Sequence, residues 1–190
     1  MPRLDTRTLM RAQQRAPRIV RRALDAAPRV AAEYAPLAGF VAVTAAAALL
    51  GTTFNPTPAN PATKDWYDSR QKSPLNPPPA VFGPVWGTLY AMIAVAGWRV
   101  YRTPKSDARM RALAWWAGQM TLNAAWSPIF FGARQPGVAL ADIGAMGIAI
   151  GGFTITARKV DRTAAWMMAP YMGWVTFAAY LNAEIVRRNR

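Results

Sequence analysis

Gln119, Asn123 and Trp126 stand at i, i+4 and i+7, a spacing that puts two carboxamides and an indole on one helical face. Trp86 and Tyr90 share a face in the same way, and so do Tyr171, Trp174 and Ala178. Carboxamides facing lipid are costly, so these groups must turn inward. Three such faces can enclose a cleft that is mostly apolar with a few polar points, suited to a flat apolar ligand. The same residues can instead serve interhelical packing, with Asn and Gln bonding across helices, and on the residues alone both readings stay open.

Covalent and metal chemistry is narrowed by what is missing. With no Cys and no His there is no thiolate nucleophile, no disulfide framework, no imidazole base and no Cys- or His-ligated metal. Hydrolase triads and His-ligated haem are excluded, while Met or Tyr ligation is left open by counting. Asp142 lies close to the start of its apolar span, where the helix dipole and interfacial water can carry it, and a structural role is favoured over a functional one. Glu184 closes the last span within reach of Arg187 and Arg188.

The elements that must position these groups are apolar spans. Residues 37–54 and 81–98 each run 18 residues without a charge, and 112–133 runs 22 on the same terms. Residues 136–157 carry one acid, Asp142, and 163–183 carry none. A soluble helix would alternate charged and apolar faces, and these do not. The mean hydropathy of +0.04 hides them by averaging apolar spans against basic ends. The expected fold is therefore all-α, an integral membrane bundle of five transmembrane helices at 36–190, preceded by a basic extension at 1–35.

The net charge of +14 would suggest nucleic acid in a soluble protein, but its distribution points to lipid and to no nucleic-acid partner. Arg3, Arg7, Arg11, Arg15, Arg18 and Arg22 recur at helical steps and would form a basic stripe on an anionic lipid surface; a disordered tail is the alternative. Counting basic residues by side gives fifteen with the N-terminus and the second and fourth loops, against seven with the first and third loops and the C-terminus. The positive-inside rule then puts the N-terminus inside. A bacterial inner membrane is favoured as the compartment, with a mitochondrial outer membrane or another organelle membrane as the alternative.

The first loop, residues 55–80, is too long for a simple connector. Trp66-Tyr67 and the prolines 74, 77, 78 and 79 make it a stiff aromatic segment, either a lid over the cleft or an anchor at the headgroup level.

The chain resembles the translocator protein family, also called tryptophan-rich sensory proteins or peripheral-type benzodiazepine receptors. The resemblance runs from about residue 37 to 189 and rests on ordered landmarks. They are Trp66-Tyr67; Lys72-Ser73-Pro74-Leu75-Asn76-Pro77-Pro78; Val81-Phe82-Gly83-Pro84-Val85-Trp86 with Leu89-Tyr90; Asn123-Ala124-Ala125-Trp126-Ser127-Pro128 with Phe130-Phe131-Gly132; Pro170-Tyr171 with Trp174; and Leu181-Asn182. The resemblance implies a five-helix bundle, usually a homodimer, with a cavity beneath the first loop. It also implies binding of porphyrins such as protoporphyrin IX and haem, taken up as ligands with no cofactor required. Ligand-binding residues then number Tyr67, Trp86, Tyr90, Asn123, Trp126, Tyr171, Trp174, Ala178 and Leu181, with Lys72 or Arg70 as cationic partners for propionates. For some bacterial relatives it implies light-dependent porphyrin degradation involving cavity tryptophans, and Trp86 and Trp174 occupy those positions. Small-molecule transport is a further alternative; no internal repeat supports it.

Two departures matter. Ala80 replaces an aromatic residue that many relatives carry, which opens the cavity mouth. Six residues separate Tyr180 from Arg187, more than the sterol-recognition pattern allows, which argues against cholesterol. Small residues at four-residue spacing, Gly87 with Ala91, Ala114 with Gly118 and Gly147 with Gly151, permit close helix approach within the bundle or between copies, and the third span is the expected seam.

Overall fold

The computed structural model describes residues 18–190, with side chains from residue 32 onward. The basic stripe expected at 3–22, and most of the extension expected at 1–35, lie outside the residues whose side chains are described. The regular structure of the described residues is all helical, without strands. The helices are α1 (Arg18–Phe54), α2 (Pro61–Asp68), α3 (Pro79–Arg102), α4 (Asp107–Ser127), α5 (Pro136–Ala157), α6 (Arg162–Met167) and α7 (Ala169–Arg188), with a π-helical turn at Pro128–Gly132. Three segments are long and apolar enough to cross a membrane by length and composition: Ala32–Phe54, Pro79–Arg102 and Pro136–Ala157. Helices α4 and α7 have comparable lengths, 21 and 20 residues, but carry the carboxamides and the terminal charges.

Helix boundaries follow local chemistry. Ser106 caps α4 by accepting from the Arg109 N–H at 3.2 Å, and Asp161 caps α6 by accepting from Ala164 at 2.8 Å. Asp161 also pairs with Arg99 at 3.0 Å, which ties the α5–α6 connection to the end of α3. Prolines at the first positions of α2, α3 and α5 start helices where a missing N–H costs nothing.

Two expected spans are interrupted. The span at 112–133 is helical only to Ser127, because Pro128 lacks the N–H that would continue the ladder and the chain widens into the π-turn. The span at 163–183 breaks at Met168, just before Pro170, and divides into α6 and α7. The first loop holds a helix, α2, that carries Trp66 and Tyr67.

In the unit formed by residues 40–190, glycine allows α1, α3 and α4 to meet. A Cβ on Gly97 would lie 2.6 Å from Trp116 Nε1 and 2.7 Å from the Phe40 ring. The bare backbone lets Trp116 donate to the Ile93 carbonyl at 2.9 Å and meet Phe40 edge to face at 4.8 Å. Gly152 similarly accepts the face of Trp115. At the opposite end of the bundle, α2, the π-turn and the end of α7 come together.

Candidate functional site

Four helices meet at one buried carboxamide. Asn123 of α4 accepts from the Tyr90 hydroxyl of α3 at 2.8 Å and donates to the Tyr171 hydroxyl of α7 at 3.0 Å. Tyr171, fully buried, passes its own proton toward the Met146 sulfur of α5 at 3.3 Å. Trp86, one turn before Tyr90, lies over it with ring centres 5.2 Å apart and meets Tyr171 edge to face at 6.3 Å. The hydroxyls and the carboxamide satisfy one another in a place water would otherwise have to fill. What remains exposed to a ligand is the half-buried indole of Trp86 and ring of Tyr90.

A second aromatic group stands beneath the first loop. Trp126 stacks on Phe130 at 4.8 Å, and Phe131 meets Phe130 edge to face at the same distance. Tyr67 meets Phe131 at 5.5 Å and Trp66 meets Phe130 at 5.8 Å, so α2 rests its two aromatic residues on the π-turn. The turn is what presents both phenylalanines, since they are adjacent in sequence and both buried. Trp126 packs against this cluster and against the main core, and its Nε1 reaches the Asn182 oxygen at 3.3 Å. Asn182 donates in turn to the Pro136 carbonyl at 2.7 Å, tying α7 to the start of α5.

The loop itself is tied down. The Asn189 side chain accepts from the Gln71 N–H and donates to the Gln71 carbonyl, both at 3.0 Å, and the Ser73 and Tyr180 hydroxyls are 3.2 Å apart. Tyr67 donates to Asn76 at 3.3 Å, and burial raises its hydroxyl pKa above the ordinary value. Lys72 donates to the Tyr67 carbonyl at 2.7 Å and lies 4.6 Å from the Tyr67 ring. It closes the C-terminal end of α2, so its charge is already engaged there.

The residues expected from sequence therefore fall into three places. Trp86, Tyr90, Asn123 and Tyr171 meet at the junction, with Ala178 half-buried against the same core. Tyr67 and Trp126 belong to the cluster beneath the loop, and Leu181 is buried beside Asn182 in the chain. Trp174 lines a groove of about 550 Å³ between α3 and α7, with Pro84, Val85, Leu89 and Phe177, and touches Phe82 edge to face at 5.8 Å. Met146, Phe130, Phe131 and Asn182 were not among the expected site residues. The last three stand in the sequence landmarks, while nothing local marks Met146.

Gln119 and Asp142 are among the described residues that bury polar atoms without a hydrogen-bond partner. Gln119 is wholly buried with both ends of its carboxamide unpaired, and so is one Asp142 oxygen. Asp142 is half-buried on α5. Among the described residues no cluster of acids forms a metal site.

With this geometry in hand, comparison with known proteins gives a consistent answer. A profile of the TspO/MBR family matches residues 40–188. The translocator protein of Ovis aries is 34% identical over 163 residues, covering 85% of this chain and 94% of that protein. The tryptophan-rich sensory protein of Cereibacter sphaeroides is 33% identical over 150 residues, 79% of this chain and 89% of that protein. The tryptophan-rich protein TspO of Chlorobaculum tepidum is 35% identical over 142 residues, 73% of this chain and 86% of that protein.

Proposed function

We propose, on the premise that the chain belongs to the TspO/MBR family of multi-pass membrane proteins, that it is a receptor or carrier for flat apolar ligands of the porphyrin class, protoporphyrin IX or haem. The observation that carries this reading is the junction at Asn123. Indole and phenol faces from α3 and α7 surround a buried carboxamide, and on the outer side of α3 and α7 Trp174 borders a groove whose size suits a small-molecule site. A macrocycle gains by burying its apolar faces against indoles. Trp86 forms the inner aromatic wall and Trp174 the outer one, and α2 with Tyr67 covers the end. Lys72 and Arg70, on the rim of the loop, are the candidate cations for a propionate, and both also donate to carbonyls of α2, those of Tyr67 and Trp66.

Five helices cross the membrane in this reading: α1, α3, α4, α5 and α7. The polar residues of α4 and α7 that lower their hydropathy turn inward at the junction, which supports their crossing despite lower apolarity. A bacterial inner membrane is the compartment favoured in this reading, with the N-terminus inside by the count of basic residues. Small residues support a homodimer seam on α4, where Ala114 and Ala117 are exposed and a Cβ on Gly118 would meet nothing within 4 Å.

Purified protein in nanodiscs, titrated with protoporphyrin IX and followed by its Soret band, tests the site. Trp86→Leu and Trp174→Leu should each weaken binding by about 1 kcal/mol, roughly fivefold, with the helical fold retained. Unchanged affinity in both folded variants would remove the site assignment. Gly118→Leu should shift a dimer towards monomer while porphyrin binding survives, because its side chain enters open space on the outside of the bundle; a variant that stays dimeric places the seam elsewhere.

A further inference from the structure

Arg70 at the end of the first loop's helix, Arg134 between the π-turn and α5, and Arg190 beyond α7 border one pocket of about 330 Å³ at the loop end of the bundle. None of the three has a carboxylate partner among the described residues. The contrast with their neighbours is local: Glu184 pairs with both Arg187 at 2.8 Å and Arg188 at 2.7 Å, and Asp68 pairs with Lys64. Asp65, the other acid on α2, is exposed and pairs with none of them. Arg70 and Arg134 thus remain without a carboxylate around one concavity, with the Arg190 guanidinium on its rim.

The cations are also held in place. The guanidinium carbons of Arg70 and Arg134 lie 5.6 and 5.9 Å from the centre of the same Trp66 ring. Arg134 reaches the Ala62 carbonyl at 3.2 Å, and its backbone has φ 54°, the left-handed region. That conformation costs a residue with a Cβ about 1 kcal/mol and costs glycine nothing, yet an arginine stands there. Immediately after it α5 begins, and Gly137 in its first turn forms part of the pocket wall, adding the positive end of a 22-residue helix.

The remaining wall is apolar. Ile185 and Val186 line it from α7. From the same place Val138, Ala141, Ala145, Ile148 and Ile155 run down α5 as an exposed stripe at helical spacing, with Val138 51% and Ile148 71% exposed. A basic pocket at the head of an exposed apolar stripe on a membrane-spanning helix has the two chemistries of a lipid: an anionic phosphate above and acyl chain below.

We infer that the pocket bounded by Arg70, Arg134 and Arg190 binds the phosphodiester headgroup of an anionic phospholipid. Guanidinium forks suit phosphate oxygens, and the bound headgroup bridges α2, α5 and α7. Because α2 is the helix of the loop, the lipid fastens the loop to the bundle and couples the charge of the surrounding membrane to how readily the loop lifts.

The test uses the full chain, delipidated in a zwitterionic detergent and followed by native mass spectrometry, titrated with phosphatidylglycerol, with phosphatidylcholine of the same acyl chains, and with inorganic phosphate. Phosphatidylglycerol should be retained about tenfold more tightly than phosphatidylcholine. The double variant Arg70→Gln/Arg134→Gly should abolish that preference, glycine being chosen because it accepts φ 54°. The double variant Arg158→Gln/Lys159→Gln, which removes equal charge at the other end of the bundle, should keep it. No preference in the parent protein, or equal loss in both double variants, overturns the inference. Displacement of phosphatidylglycerol by an equal concentration of inorganic phosphate makes this a free-phosphate site and overturns the lipid assignment. Should the Arg134 variant fail to fold, Arg70→Gln/Arg190→Gln carries the same prediction.

Discussion

The junction around Asn123 and the cluster beneath the first loop use the same residue types, but different forces hold them. At the junction two tyrosines, an asparagine and a methionine close a hydrogen-bonded chain across four helices. Beneath the loop the contacts between α2 and the π-turn are ring edges on ring faces, and the hydrogen bonds that hold the loop lie at its edge, on Asn189, Tyr180 and Arg134. Hydrogen bonds in a dry interior are expensive to leave unmade, whereas ring contacts and rim bonds can be exchanged for ligand or water at small cost. One region therefore fixes how the helices pack, and the other is expected to open more readily.

The comparison breaks most visibly at Asn123. Asn123→Leu leaves the Tyr90 and Tyr171 hydroxyls without their shared partner and should lower stability by about 2 kcal/mol, read as thermal or denaturant unfolding in detergent. A loss below about 0.5 kcal/mol would mean the network re-forms without the carboxamide, and the distinction between the two regions would fail.

On the loop side the effect should be smaller and kinetic. Tyr67→Ala removes the ring contacts to Phe130 and Phe131 and should cost about 1 kcal/mol of local closure, appearing as a severalfold faster porphyrin release with little change in global unfolding. Asn189→Ala removes both bonds to Gln71 and should act in the same direction. Unfolding that shifts as far as in Asn123→Leu would show that the loop is part of the rigid framework.

The smallest effect is electrostatic. Hydrogen bonds from Arg187 and Arg188 hold the Glu184 carboxyl down at about 2, against an ordinary 4.5. A depressed carboxyl contributes stability that is fully present above 4.5 and is lost as pH falls through about 2. Amide exchange near the end of α7 should rise over that window, and Glu184→Gln should remove the pH dependence. Salt should weaken the effect, since Arg187 is exposed.

Much of this was legible in the chain because each signal is local. A run of 18 residues without a charge marks a helix that can cross a membrane whatever surrounds it. Gln119 and Asn123, four residues apart, had to turn inward, and both are buried. Proline lacks an N–H, but that does not say whether a helix runs on, as at Pro84 inside α3, widens, as at Pro128, or breaks, as just before Pro170.

What composition and spacing determined, then, was an all-helical membrane protein with tryptophans, tyrosines and carboxamides inside and without thiol or imidazole chemistry. What only the tertiary structure decided was how those residues are distributed. Tyr171 and Trp174 share a face by spacing, yet a step of three residues falls about 60° short of a full turn. That angle separates the fully buried phenol at the junction from the indole on the α3–α7 groove. Trp126 likewise belongs as much with Phe130 as with Asn123, because the π-turn folds the next residues back against it. The convergence of Arg70, Arg134 and Arg190 could not be read from positions so far apart in the chain, since long-range neighbours are set by packing that no local pattern encodes.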